Sequence, residues 1–298
     1  MSDRNTLSIT DISGLVILLL LSVSSLSGCR FGWLPLQEKP PEQVATTATI
    51  SSAEYYYRLG LKHTRDGEEQ DLVAARDAFR QAAEKGHVES QYLLALAYFN
   101  GQEGNASQSQ GFYWLEQAAQ GGQAEAQFRL GGRYLNGIGV AGEESWGVQW
   151  IARAADQGHA QAQYQLGVAY AAGLGWSADL VEAWSWLALA ERNGEKSAAV
   201  LLSKIESRLS VGQLAEAKVL RNKWRRVSKE NSLPRAQVRF IQHSLNQLGF
   251  AAGNADGWVG PVTRQAIGNF RQSYNVSGTG SRINTGLLKS LRQALLNG

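Results

Sequence analysis

The sequence predicts an all-α protein, an α-solenoid of helix pairs followed by a small three-helix domain. Two observations carry that prediction. Markers in the middle of the chain return at a constant step of 36 residues, a length that fits one helix–turn–helix unit of a stacked array. Beyond the array, apolar residues keep helical spacing but lose the period, and the charge changes sign. Between Ser52 and Val200 there are 18 acids and 11 bases. After Arg235, Asp256 is the only acid, against Arg239, Arg264, Arg271, Arg282, Lys289 and Arg292. Such polarity marks separate domains and suggests an anionic partner for the C-terminal part.

The chain opens with an address. Leu15 to Val23, LVILLLLSV, is about half the roughly 20 residues a spanning helix needs and fits the apolar core of a secretory signal. Directly after it stand Leu26, Ser27, Gly28 and Cys29, the only cysteine of the chain. A lone thiol has no internal disulfide partner. The stretch LSGC resembles the lipobox of bacterial lipoproteins. That resemblance implies removal of residues 1–28 and acylation of Cys29, palmitate included, and two or three acyl chains hold a protein stably on a bilayer where one does not. Arg30, rather than Asp, follows Cys29; in a Gram-negative source this sends the protein to the periplasmic face of the outer membrane. Residues 29–52 lack helical or strand periodicity and read as a flexible tether, with a coil span of about 25 Å.

Residues 53–198 form the predicted solenoid of about four repeats. Gln91, Gln127 and Gln163 keep the 36-residue step, as do Trp114, Trp150 and Trp186, and Gly86, Gly122, Gly158 and Gly194. Each unit reads as two helices. The first carries Leu94 and Tyr98, then Leu130, Gly131 and Tyr134, then Leu166, Gly167 and Tyr170 in the successive units. Small residues at one position, Ala95, Gly131 and Gly167, invite close approach of a neighbouring helix, although Gly there costs about 1 kcal/mol of helix propensity. The second helix carries the tryptophan and ends at a glycine suited to a left-handed cap. The series resembles Sel1-like repeats, relatives of the tetratricopeptide repeat, and implies a protein-interaction scaffold. The first unit has Ala78 where the others have Trp, as expected of a terminal repeat.

Two features of the array resemble ligand sites and have structural readings. Gly137-Ile138-Gly139-Val140-Ala141-Gly142 matches GxGxxG, but that fingerprint needs a preceding strand, and here a helix precedes it. The tryptophans in register are read as packing; off-register Trp146 and Trp176 are the expected surface contacts should the solenoid grip a glycan. Residues 199–228 then read as two capping helices, the second opened by a capping box of Ser210 and Gln213.

After a linker at 229–234, residues 235–298 form the last domain. Val238, Ile241, Leu245 and Leu248 make one helical face, Gly249 ends it, and Pro261 opens the next helix, where its missing N–H is harmless. Leu287, Leu288, Leu291 and Leu295 suggest a third. Gln242, Leu245, Gly249, Phe250, Asp256, Gly257, Gly260, Pro261, Thr263, Ala266 and Phe270 resemble the peptidoglycan-binding domain appended to many cell-wall enzymes, a compact three-helix module. The resemblance implies peptidoglycan as a partner, with Asp256, Gly257, Trp258, Arg264, Arg271 and Arg282 as the candidate binding residues. Asp256 and Gly257 are also suited to shaping their loop, while arginine forks suit carboxylates of stem peptides.

No catalytic constellation is evident: the four histidines are scattered and no HExxH, GxSxG or P-loop occurs. No enzyme activity, cofactor, metal or nucleic-acid partner is therefore expected. The reading is a cell-envelope scaffold lipoprotein, held to the bilayer through acylated Cys29, to the wall through its last domain, and to an unidentified protein client through its repeats. The alternatives are a glycan-binding solenoid assisting polysaccharide export and a regulator of a wall hydrolase or synthase.

Overall fold

The computed structural model describes residues 51–66, 69–100, 104–226, 235–278 and 283–297. Cys29, residues 1–28, all but the last two residues of the 29–52 segment and the 229–234 linker lie outside these. Among the described residues there are thirteen α-helices and no strand. Four pairs build the stack: α1 (Ser52–Asp66) with α2 (Glu69–Glu84), α3 (Val88–Asn100) with α4 (Gly104–Gln120), α5 (Ala124–Asn136) with α6 (Glu144–Asp156), and α7 (Ala160–Ala172) with α8 (Leu180–Arg192). α9 (Ala198–Glu206) and α10 (Val211–Lys223) follow, then α11 (Arg235–Gln247), α12 (Pro261–Ser273) and α13 (Thr285–Asn297).

The recurrent residues have visible work within each pair. Leu94, Leu130 and Leu166 are completely buried. A Cβ on Gly131 would lie 2.6 Å from Ile151 Cγ1 and 2.7 Å from the Gly147 carbonyl oxygen, so glycine is what lets α5 and α6 meet backbone to backbone. Gly86, Gly122, Gly158 and Gly194 all take positive φ, between 83° and 99°. After α6 the His159 N–H reaches back to the Ala154 carbonyl at 3.1 Å and the Gly158 N–H to Ala155 at 2.9 Å, the double closure of a Schellman end. The Gly137–Gly142 segment is the turn between α5 and α6, with Gly137 as the left-handed cap of α5.

The 36-residue step is held by polar staples as well as by packing. The side-chain amides of Gln91, Gln127 and Gln163 each donate to a carbonyl of the preceding helix, Ala83, Ala119 and Ala155, at 3.0 to 3.2 Å. Gln157 and Asn193, themselves 36 apart, donate in turn to the Oε1 atoms of Gln127 and Gln163. Buried amides of this kind are satisfied only when neighbouring repeats sit in register. His159 adds a third link: its Nδ1 accepts from Ala162 N–H at the start of α7, its Nε2 lies 2.7 Å from Glu125 in the previous repeat, and its ring stacks on Phe128. Burial would raise the Glu125 carboxyl pKa, but the His159 hydrogen bond and the Arg129 charge hold it below the usual value.

The cap is built as its sequence suggests. Ser210 and Gln213 form a reciprocal capping box on α10. Ala217 is fully buried against α8, where the Ser185 hydroxyl donates to its carbonyl, and Trp184 donates to Glu206 of α9.

Candidate functional site

The C-terminal domain is arranged around one glutamine of α11. Gln242 donates through Nε2 to Asp256 Oδ1, the Trp258 carbonyl and Thr263 Oγ1, while its Oε1 accepts from the Gly257 N–H. Asp256 also accepts from the Trp258 N–H at 2.8 Å, and Gly257 takes φ +80°. Fixed in this way, the loop turns the Trp258 indole outward, 61 % exposed. Val262 is exposed beside Gly253 at the start of α12. Arg264 is exposed and donates to the Val259 carbonyl. A flat ring on the loop, with an apolar shoulder and a cation on the first turn of α12, forms a surface that can take a sugar face and an acidic group together.

Of the candidate wall-binding residues, Asp256, Gly257 and Trp258 share one loop, and Arg264, on the first turn of α12, reaches back to it through the Val259 carbonyl. Arg271 is elsewhere: it is only 6 % exposed and donates inside the domain to the Ser277 carbonyl and, at 3.5 Å, to Asn284. Its guanidinium braces the segment after α12 rather than facing a ligand. Arg282 lies outside the described residues.

Sequence reasoning missed the second site, where this domain lies on the repeats. α11 packs against α6, and the apolar core runs without a break from Val148 and Ile151 to Phe240 and Ile241. Asp156, at the end of α6, accepts from the Ala236 N–H and lies 3.4 Å from Arg239 Nη1, both side chains nearly inaccessible. The Arg239 guanidinium sits 5.2 Å from the centre of the Trp186 ring. Burial alone would lower the Arg239 pKa, but the Asp156 charge reverses this and holds it above the ordinary value; burial pushes the Glu182 carboxyl and the Tyr170 phenol up. A second cation, Arg292 of α13, pairs with Glu143 and lies over Tyr134 and Trp146.

This overturns the expectation that Trp146 and Trp176 meet solvent. Trp176 is 2 % exposed and stacks on His243 of α11 at 4.8 Å, and Trp146 is edge-on to Phe240 at 5.3 Å. Both are off register and both meet α11 of the C-terminal domain, Trp146 packing on the second and third repeats as well. Burial, with Arg239 nearby, lowers the His243 pKa to about 4. The seam is not fully satisfied. Both amide atoms of Gln149, the Trp176 and His243 ring nitrogens Nε1 and Nε2, the Tyr170 hydroxyl and Ser244 Oγ are buried without a hydrogen-bond partner among the described residues.

No group of three or more metal-binding side chains occurs among the described residues, and no helix among them is long and apolar enough to cross a membrane. What the fold and both sites define is a helical-repeat binding protein with a second binding domain built into its end. The Sel1 repeat model matches residues 53–87, 88–123, 124–159 and 160–195, and a model described as "Putative peptidoglycan binding domain" matches residues 234–281. The chain is a Sel1-repeat protein that carries a peptidoglycan-binding domain. Among solved structures, a Sel1 repeat protein from Oxalobacter formigenes is 35% identical over 42% of this chain and 95% of its own, with a TM-score of 0.41. A protective antigen present in uropathogenic Escherichia coli strains, displaying an SLR fold, is 27% identical over 65% of this chain, also with a TM-score of 0.41; the match takes in 48% of the antigen, about half its length. No curated protein matches the chain. Sel1-repeat and peptidoglycan-binding families are typically non-catalytic, and the combination supports a binding or adaptor role.

Proposed function

We propose that the protein is a cell-envelope scaffold that makes no bond and breaks none, and instead holds a protein client beside the wall. The observation that carries this reading is the Gln242-organised loop presenting Trp258, with Arg264 beside it at the start of α12, within a peptidoglycan-binding domain that is joined to four interaction repeats. Wall binding through this loop, client binding through the repeats and lipid attachment at Cys29 would each be modest alone. Linked in one chain they raise each other's effective concentration. The LSGC stretch supports anchoring at Cys29, and Arg30 supports the periplasmic face of the outer membrane. A polysaccharide-gripping solenoid is less favoured, because Trp146 and Trp176, its natural platforms, are occupied by α11.

Purified sacculi test the wall claim. The full chain is expected to sediment with them, and Trp258→Ala is expected to weaken retention by about 1.5–3 kcal/mol, the order of one large apolar side chain's burial. A full chain that stays in the supernatant sinks it. Mass spectrometry of the mature amino terminus tests the anchor, and an unacylated Cys29 removes it.

A further inference from the structure

Two helices of the molecule lie on second-of-pair helices, and three arginines reach the indoles of those helices. α10 lies on α8 and brings Arg221 to 5.6 Å from the centre of the Trp184 ring. α11 lies on α6 and brings Arg239 to 5.2 Å from Trp186. α13 brings Arg292 to 4.9 Å from Trp146. In each case a guanidinium is laid on an indole of α6 or α8. The two buried or half-buried seats at the seam add a carboxylate, Asp156 for Arg239 and Glu143 for Arg292.

The preceding second helix, α4, carries the same elements, and among the described residues no guanidinium is laid on them. Trp114 stands one 36-residue step before Trp150 but is only half-buried, and Tyr113 beside it is 50 % exposed, its ring edge-on at 4.9 Å. Helical spacing puts Glu116, Gln117 and Gln120 on the face of Tyr113. Glu116 is half-buried and has no ion pair among the described residues. α4 borders the existing seam: its Phe112 is edge-on to Tyr134 at 5.8 Å, and Arg292 lies 5.2 Å from the centre of the same Tyr134 ring.

We propose that this face of α4, centred on Tyr113 and Glu116, is the docking site for an arginine-bearing α-helix of a partner protein. The arginine lies over the Tyr113–Trp114 rings and pairs with Glu116, as Arg292 lies over Tyr134 and Trp146 and pairs with Glu143. A ring and a carboxylate three residues apart on one helix face suit a planar guanidinium better than a lysine ammonium. The inference rests on the protein-binding reading of the repeats and gives that reading a surface and a partner chemistry.

A labelled peptide with the sequence of α11, Arg235–Gln247, is a suitable probe, because its Arg239 already takes such a seat within the chain. Titrated into the full-length protein and followed by anisotropy, it is expected to bind saturably. Tyr113→Ala and Glu116→Lys, both at accessible positions, are each expected to weaken it at least about fivefold, and a peptide carrying Arg239→Glu is expected not to bind. Binding that neither protein substitution changes overturns the α4 assignment while leaving helix binding by the repeats intact. No saturable binding by the unaltered peptide overturns helix binding itself.

Discussion

The second and third repeats are built on one template and differ in what covers them. In the third, Trp150 is 3 % exposed, Gln149 is fully buried and Asp156 is locked to α11. In the second, the equivalent positions are Trp114, half-buried, Tyr113, half exposed, and Gln120, exposed. The fold of each unit is the same, so the covered face of α6 owes its burial to the C-terminal domain and not to the repeat. A solenoid of this kind separates the residues that make the repeat from those that choose its neighbour.

The comparison can be broken most severely at Asp156. Asp156→Ala leaves the Arg239 guanidinium buried without its carboxylate, and about 3–5 kcal/mol of stability is expected to be lost, read by chemical unfolding. Gln120→Ala at the equivalent exposed site is expected to cost under about 0.5 kcal/mol. Next comes pH. His243 is neutral in the fold, with its pKa lowered to about 4 against 6.5 for an ordinary histidine. A depressed histidine makes the unfolded chain bind the proton first, so stability is full above about pH 6.5 and falls as pH drops towards 4, by up to about 3 kcal/mol. His243→Phe is expected to flatten that window in a pH series of melting curves.

A smaller effect is expected where the third repeat is given the residue of the second. Gly131→Ala copies Ala95 into α5, and the new methyl meets Ile151 and the Gly147 carbonyl below 3 Å; overpacking of this kind costs about 1–3 kcal/mol, offset in part by better helix propensity. Thermal unfolding checks it. The smallest has the opposite sign. Gln149→Leu removes two unpartnered buried polar atoms from the seam, so stability is expected to hold or rise by about 1 kcal/mol. A clear loss there would mean that the Gln149 amide has a partner in solution.

Much of the repeat architecture is legible in the sequence because it is local and periodic. The 36-residue step, the glycine caps and the Ser210–Gln213 box each depend on residues within one or two helices. The Gln242 loop is legible in part: Asp256 and Gly257 announce a turn, but the glutamine that ties it is 14 residues away on α11. The seam is not legible. Asp156 and Arg239 are 83 residues apart, carry no period, and read separately as ordinary surface charges. Trp146 and Trp176 show the same limit, since being out of register says that a side chain does not serve the repeat and leaves open what it does serve.

The position of α11 has one more consequence. Its Gln242 edge organises the Asp256–Trp258 loop and its Arg239, Phe240 and His243 edge is buried on the repeats, so the helix is common property of two inherited modules. Cutting the chain at the recognisable boundary near residue 234 would strip Trp146 and Trp176 of their cover and leave each fragment with a sticky apolar scar. The unit that evolution shuffles and the unit that melts are therefore different objects, and a calorimeter should record one cooperative transition for both of them.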